Sequence, residues 1–329
     1  MYRTCRKYFC SSVFTLAALL TTVSSSVGAA DSEPTTLRIL TYNVQFLPGL
    51  ASAKNERPKP EYRTARIAEE ISQYDIVGLQ ETFHKTHRSQ IIDHLGGHWK
   101  GGLHLVTSPT PEGFFTSGGC LIATRLPIVN SSSTVYKNFS KPADYGFRAD
   151  GFAAKGVIHA RIARTAESPE DFFDLFVTHL EARDDDLRPL QYAEMADFIK
   201  TSSDPDRPAL LLGDMNTQGA KRFRSDKNSQ YTQLITALGN ARPAGKLIDV
   251  WPALKGDALG GTNEQESPDV GKRIDYIFVI NPAESHAQLK PVSVAVRLFR
   301  DPKVFALSDH NAVEAELEWT HSLKDIQTR

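Results

Sequence analysis

Short apolar runs recur along the chain from residue 37 onward, and many of them are rich in β-branched and aromatic residues. Runs of this length and composition, separated by polar or Gly- and Pro-containing segments, are typical of buried β-strands. The pattern predicts strands at Leu37–Phe46, Asp75–Glu81, Cys120–Leu126, Gly156–Ile162, Phe172–Leu180, Ala209–Asp214, Ile274–Ile280, Val292–Leu298 and Ala312–Trp319.

Three segments between these strands carry apolar residues at the three- and four-residue spacing of an amphipathic helix. The spacing predicts helices at Tyr62–Ser72, Leu187–Ser202 and Ser229–Leu238, the last ending at Gly239. Strands interleaved with a few helices predict an α/β fold in which two packed sheets are covered by outer helices.

The first 30 residues have the pattern of an export signal. A basic start is followed by the mostly apolar stretch Tyr8–Val23 and by the small residues of Val27–Ala30. A membrane anchor is the alternative, but the stretch is shorter than the ~20 apolar residues that a span requires. We therefore predict a cleaved signal at residues 1–30, a flexible leader at 31–36, one domain at 37–320, and a secreted or periplasmic protein.

The net charge and the cysteine content limit which binding partners and which cysteine roles fit the chain. The formal net charge of −1 becomes −4 without the signal, whose three basic residues have no acidic counterpart. This slightly negative net charge does not indicate a nucleic-acid-binding protein, because such proteins carry an excess of basic residues. The signal also removes Cys5 and Cys10, so Cys120 alone remains and is expected to be a buried hydrophobe. We expect a monomer.

Six segments place short polar side chains at or near the ends of the apolar runs. They are Thr41–Asn43, Leu79–Glu81, Thr178–Leu180, Gly213–Asn216, Arg273–Tyr276 and Leu307–Ala312. Singly, each has a structural explanation, because Gly-Asp-x-Asn favours a turn, Ser-Asp-His suits a strand entry, and a lone histidine is often a core residue. Together they predict one site built from many strand ends, and their chemistry indicates a metal-dependent phosphoester hydrolase.

Phosphodiester hydrolysis needs a cation for the phosphate oxygens and a base for the attacking water. Glu81 is the best candidate ligand for a hard cation such as Mg²⁺, with Asn43 beside it. His179 and His310 are the candidate bases, and either Asp275 or Asp309 could orient one of them.

Asp214 and Asn216 stand two residues apart at the end of a predicted strand. If the strand stays regular there, both side chains point to one side and reach the same water and phosphate oxygen.

With motifs from Asn43 to His310, the chain resembles the endonuclease/exonuclease/phosphatase superfamily. The resemblance implies a four-layer α/β sandwich, DNase I-like, of two packed mixed β-sheets flanked by helices. It also implies a Mg²⁺-dependent phosphoesterase, with Mn²⁺ or Co²⁺ as alternative metals. By resemblance, Glu81 and Asn43 bind the metal, and Asp309 lies in or next to its coordination shell.

The resemblance assigns the remaining roles as well. His310 is implied to be the general base, paired with Asp275, while Asp214 and Asn216 orient the water and the phosphate. His179 is implied to stabilise the charged transition state or the leaving group.

Three segments are similar to secreted neutral sphingomyelinases within that superfamily. They are Gly118–Ile128, Ala149–Gly156 and Thr178–Asp184. The second contains Asp150 and, five residues later, Lys155, and the resemblance makes Asp150 a further catalytic carboxylate. A loop followed by an exposed strand entry is the alternative explanation. The implied partner is a phospholipid or sphingolipid membrane surface.

The chain departs from those sphingomyelinases in two places. The stretch Val296–Phe305 is shorter than their membrane-entering aromatic hairpin and lacks Trp, although Phe299 and Phe305 with their basic neighbours could still contact a lipid surface. Glu181 and Arg183 replace the usual Gln and Glu.

Four functions therefore remain open. The leading hypothesis is a secreted sphingomyelin phosphodiesterase. A secreted DNase I-like nuclease is the alternative, and the basic run Lys221–Arg224 keeps it open. A phosphoinositide-type phosphatase and a catalytically inactive binding module or toxin subunit on the same fold are the other two.

Overall fold

A computed structural model describes residues 35–48, 57–146, 149–263, 267–283, 285 and 287–320. The strands are β1 (Thr35–Phe46), β2 (Ile76–Thr82), β3 (His104–Thr107), β4 (Thr116–Ser117), β5 (Leu121–Thr124), β6 (Ile128–Val135), β7 (Ala153–Ala154), β8 (Gly156–Ala163), β9 (Phe172–His179), β10 (Ala209–Asp214), β11 (Lys246–Asp249), β12 (Asp275–Asn281), β13 (Gln288–Arg297), β14 (Arg300–Asp301), β15 (Phe305–Ala306) and β16 (Ala312–Thr320). The helices are α1 (Pro60–Ile71), α2 (Lys85–His98), α3 (Pro142–Tyr145), α4 (Arg188–Ser202), α5 (Lys221–Arg224), α6 (Gln230–Ala241) and α7 (Val250–Lys255), with a 3₁₀ turn at Asp150–Phe152.

Twelve strands form two six-stranded sheets. The first has the order β13-β16-β1-β2-β5-β3 and the second the order β11-β12-β10-β9-β8-β6. Each sheet is mixed, because β1 pairs parallel with β2 and β9 parallel with β10, while the other ladders in both sheets are antiparallel. The predicted fold of two packed mixed sheets is confirmed.

The two sheets pack face to face through alternate residues of their strands. Ile39 and Ile76 of the first sheet share a buried cluster with Leu175 and Leu212 of the second. At Gly78 the sheets approach so closely that a Cβ atom there would lie 2.9 Å from a methyl group of the facing sheet. The parity of each strand therefore decides which side chains enter the space between the sheets.

Helices cover the outer face of each sheet. Ile67 of α1 and Leu95 of α2 pack with the outward residues of the first sheet, and Met195 of α4 and Leu238 of α6 pack with those of the second. The result is the predicted four-layer α/β sandwich. None of the helices in the described ranges is long and apolar enough to cross a membrane.

The structure corrects several predicted boundaries. Strand β1 begins at Thr35, so Thr35 and Thr36 belong to the sheet rather than to a leader, and residues 1–34 lie outside the described residues. Helix α6 continues through Gly239 to Ala241, because Leu238 and Ala241 still bury its apolar face. Cys120 is buried as predicted, and burial raises the pKa of its thiol to about 12.

The sequence pattern missed some short or polar elements. Strand β6 is mostly exposed and rich in Ser, so it carries no apolar run. Helix α2 buries only three residues on one side, and its sequence has little amphipathic periodicity.

Candidate active site

Three polar side chains stand side by side where β9 and β10 of the second sheet end and β12 begins. Strand pairing places Asp214 of β10 opposite His179 of β9 on one side and opposite Asp275 of β12 on the other. All three continue the inward parity of their strands, so they enter the space between the sheets. All three are also almost fully buried.

His310 compensates the two neighbouring carboxylates of this row. Its Nδ1 lies 2.9 Å from Asp275 Oδ2, and its Nε2 lies 3.8 Å from Asp214 Oδ2. Burial alone would lower the pKa of His310, but the charges of Asp275 and Asp214 outweigh burial and raise this pKa well above its ordinary value. Burial and Asp275 together raise the pKa of Asp214 to about 6. The predicted pairing of His310 with Asp275 is present in the structure.

Asn43 connects the two sheets at the site. Its Nδ2 donates to Glu81 Oε1 at 3.0 Å and to Asp214 Oδ2 at 3.1 Å. Strand alternation alone would direct Glu81 outward, like Leu79 of the same strand, which packs on the outer face. Glu81 instead has a left-handed backbone with φ of 57°, and its carboxylate meets Asn43. Such strain in a non-glycine residue is typical of functional sites.

Asp309 lies beside this group from a different part of the chain. Its Oδ2 accepts from Gln45 Nε2 at 2.6 Å, and Ser308 Oγ, which donates to the Asn43 carbonyl, ties the segment to β1. Burial first and the Asp309 carboxylate second raise the pKa of Glu81 to about 7. The two carboxylates therefore lie close enough to repel each other.

The chemistry of these residues fits a hard divalent cation. Glu81 and Asp309 bring carboxylate oxygens together beside the Asn43 amide, and a cation would offset both the burial that chiefly raises the pKa of Glu81 and the repulsion from Asp309. A second group, Asp214, Asp275 and His310, has ligand atoms within 4.8 Å of one another. In that second group the two carboxylates instead partner the histidine, whose protonated form their charges stabilise.

A lysine joins Asp150 to His179. Lys155 is almost fully buried, and its Nζ lies 2.6 Å from Asp150 Oδ2, 3.2 Å from His179 Nε2 and 3.0 Å from the Leu180 carbonyl oxygen. Burial opposes the charge on Asp150, but Lys155 and a backbone hydrogen bond from Ala182 lower the pKa of Asp150 to about 2. The pair is thus part of the site and not an exposed strand entry.

Asn216 lies at the site, but it is not positioned by the regular strand geometry that the sequence predicts. Strand β10 ends at Asp214, and Asn216 adopts a left-handed conformation with φ of 48°. Its backbone N–H donates to Asp214 Oδ1 at 2.9 Å and its Nδ2 to the Leu180 carbonyl at 3.1 Å. The condition that the strand stays regular was wrong, yet Asn216 still lies next to Asp214.

Two residues outside the predicted site set belong to it by contact. Gln45 holds Asp309, and its parity with Asn43 along β1 was a signal that could have identified it. In the sequence, only the family resemblance points to Lys155. Its place between Asp150 and His179 depends on the pairing of β8 with β9, which the sequence does not reveal.

Comparison with known proteins identifies a family and several relatives. The model of the Endonuclease/Exonuclease/phosphatase family matches residues 40–310. A sphingomyelinase of Dictyostelium discoideum is 25% identical over 64% of this chain and 58% of its own length. A sphingomyelinase C of Bacillus cereus is 24% identical over 80% of both chains.

Solved structures share the fold at lower identity. A beta toxin of Staphylococcus aureus with bound magnesium ions has a TM-score of 0.59 and 18% identity, covering 85% of this chain and 99% of its own. TDP2 of D. rerio, complexed with a single-strand DNA product, has a TM-score of 0.59 and 16% identity over 86% of this chain and 99% of its own. The family match spans all the strand ends that build the site, and the chain therefore belongs to the Endonuclease/Exonuclease/phosphatase family and is a phosphoric diester hydrolase.

Proposed function

We propose that the protein is a secreted, Mg²⁺-dependent phosphodiesterase that hydrolyses sphingomyelin to ceramide and phosphocholine. The observation that carries the choice of substrate is the buried contact of Lys155 with both Asp150 and His179. Asp150 and Lys155 belong to the segment that resembles sphingomyelinases, and this contact gives the resemblance a chemical role. Relatives named sphingomyelinase add support. Secretion rests on residues 1–30, which lie outside the described residues.

Glu81, Asn43 and Asp309 are the residues that would hold the metal. When bound, Mg²⁺ supplies positive charge to the phosphate oxygens, and Mn²⁺ or Co²⁺ would serve the same oxygen ligands. Gln45 keeps Asp309 in place, and Asn43 keeps Glu81 next to Asp214.

His310 is the group that we assign to activate the water. Because its Nδ1 hydrogen is donated to Asp275, Nε2 is left to accept a proton from the attacking water. The water oxygen forms a bond to phosphorus while the bond from phosphorus to the ceramide oxygen breaks. Asp275 and Asp214 stabilise the imidazolium that results, which is the form of His310 that their charges favour.

We assign the stabilisation of the departing ceramide oxygen to Lys155, which lies against His179. Lys155 brings a buried positive charge, and preorganised charge of this kind is effective where water is excluded. Asn216, fixed by its bond to the Leu180 carbonyl, is the amide that we assign to orient the phosphate.

A nuclease is the second candidate, because a fold neighbour is complexed with a DNA product. The basic run Lys221–Arg224, which was the sequence feature in its favour, forms the short helix α5. Lys221 and Arg224 both pair with Asp257, and the Arg222 guanidinium lies 4.6 Å from the centre of the Phe223 ring. Two of its three basic side chains are therefore engaged with one carboxylate of the protein, which weakens the case for a DNA-binding groove.

The decisive experiment measures phosphocholine release from sphingomyelin vesicles by the mature protein, with Mg²⁺ and with EDTA, beside plasmid DNA in the same buffers. We expect metal-dependent release and intact plasmid. If the plasmid is nicked and the lipid is not hydrolysed, the proposal is wrong and the protein is a nuclease.

A further inference from the structure

Phe115 is the most exposed large hydrophobic side chain in the described part of the chain, with 75% of its surface accessible to solvent. An exposed phenylalanine forgoes the stabilisation that burial of its ring would give. A single exposed apolar residue needs no explanation by itself. The contacts around Phe115 distinguish it from an isolated exposed residue.

The backbone that carries the Phe115 ring is held by hydrogen bonds. Phe115 N–H donates to the Phe152 carbonyl at 3.0 Å, and the next two residues, Thr116 and Ser117, pair with β7 in a parallel ladder. Phe114 packs against Phe139 with ring centres 5.6 Å apart. One aromatic ring therefore packs against a neighbouring ring, while Phe115 is held out into solvent by the paired backbone that flanks it.

The backbone segments that hold Phe115 lead directly to residues of the active site. Phe152 ends the 3₁₀ turn that begins at Asp150, and Asp150 binds Lys155 in the site. Gly118 fixes the other side of the loop, because a Cβ atom there would lie 2.3 Å from the Ala154 carbonyl oxygen. The exposed ring is thus rigidly connected, through a few residues, to a carboxylate of the site.

A second aromatic side chain emerges from the same region. Tyr145, at the end of α3, is 39% exposed, and its hydroxyl donates to Asp184 at 2.7 Å. Asp184 follows the His179 strand by five residues, so Tyr145 also connects to the site. Aromatic rings with one apolar and one polar end favour the boundary between water and lipid.

Because the proposed substrate is a membrane lipid, the enzyme must meet a lipid surface near its site. We propose that Phe115, assisted by Tyr145, inserts into the surface of a zwitterionic phosphocholine bilayer and holds the site against it. The exposed charges of the two segments are of both signs, with Glu112 in one and Lys137, Lys141 and Asp144 in the other, which suits a zwitterionic surface better than an anionic one. This inference rests on the proposed function.

The test compares the wild type with Phe115→Ser and with Val129→Ser. Val129 is 47% exposed and lies at the far end of the second sheet, beside the pairing of Ile128 with Ile162, so it is a matched loss of exposed apolar surface away from the site. Binding to sphingomyelin–phosphatidylcholine vesicles is measured by cosedimentation in EDTA, which makes the readout independent of turnover. We expect Phe115→Ser to weaken partitioning about tenfold and Val129→Ser to leave it unchanged.

A second measurement separates docking from chemistry. Hydrolysis of a short-chain sphingomyelin, dissolved as monomers with Mg²⁺, should be equal in all three proteins, while hydrolysis of vesicles falls only in Phe115→Ser. In Phe115→Trp, the new tryptophan fluorescence should shift to shorter wavelength when vesicles are added. If the wild type fails on monomeric lipid, the proposed function is wrong, and the cosedimentation still decides the docking.

Equal cosedimentation of Phe115→Ser and wild type would overturn the docking proposal, as would a wild type that does not bind vesicles at all. An unshifted tryptophan spectrum in Phe115→Trp would do the same.

Discussion

The ammonium group of Lys155 lies 3.2 Å from Nε2 of His179. An ammonium group can only donate, so Nε2 must accept, and the proton of the neutral ring belongs on Nδ1. Burial and the charge of Lys155 lower the pKa of His179 well below its ordinary value. His179 is therefore neutral at physiological pH, and the positive charge beside it is that of the lysine.

Replacing this lysine should disable turnover. For Lys155→Met, which keeps much of the buried side-chain volume, we expect kcat on sphingomyelin to fall about 10²- to 10³-fold, because a preorganised charge is lost from the site. Stopped assays of phosphocholine release measure this change. A variant within threefold of the wild-type kcat would remove Lys155 from the mechanism.

His310→Ala and Glu81→Ala should each abolish turnover without unfolding the protein. The first removes the base and the second a metal ligand, and removing either kind of group costs several orders of magnitude in rate. Activity assays paired with circular dichroism separate the two effects. His98→Ala, at an exposed position of helix α2, is the control that should retain full activity. Folded variants with wild-type rates would contradict the assignment.

The Asp150–Lys155 pair predicts a pH dependence of stability. The pKa of Asp150 falls from 3.8 to about 2 on folding, which corresponds to roughly 2 kcal/mol of stability at neutral pH. Because this pKa is depressed in the folded state, the contribution is complete above pH 4 and is lost as the pH falls toward 2. We expect the difference in unfolding free energy between the wild type and Asp150→Asn to be constant from pH 7 to 5 and to shrink below pH 4. Urea titrations at several pH values measure it, and a pH-independent difference would argue against the ion pair.

Arg63 holds together the backbone segments that lie next to the site. Its side chain is fully buried, and its guanidinium donates to the carbonyls of Val44, Gln45 and Leu307. These carbonyls lie next to the segments that carry Asn43 and Asp309. Arg63 therefore joins the end of β1 to the approach of β16.

Arg63→Met should destabilise the fold by about 3–5 kcal/mol, because it leaves buried carbonyls without donors. Arg66→Met, one turn further along helix α1, removes a partly exposed ion-pairing residue and should cost less than about 1 kcal/mol. Thermal or urea denaturation of the two variants provides the comparison. Equal effects would mean that the carbonyl contacts of Arg63 contribute little.

Much of the site could be predicted from strand periodicity. Asn43, His179, Asp214 and Asp275 all continue the inward parity of apolar strands, so alternation alone places them between the sheets. Periodicity does not give the register between strands. The side-by-side placement of Asp214 and Asp275 therefore appears only in the structure.

Glu81 and Asn216 depart from regular strand geometry through left-handed backbone conformations. Such conformations are imposed by tertiary contacts, such as the bond from Asn43 to Glu81, and local propensity does not reveal them. The path of helix α6 through Gly239 has the same kind of cause, since packing of one apolar face outweighs a weak local preference.

The bridge that Asn43 forms between Glu81 and Asp214 makes catalysis inseparable from assembly of the whole domain. One carboxylate comes from each half of the sandwich, so neither half alone contains a working set of groups. In denaturant, loss of activity should follow the same curve as loss of overall structure. A fragment that preserves one sheet would be inert until its complement docked, and enzymatic recovery would then report the docking of the two fragments.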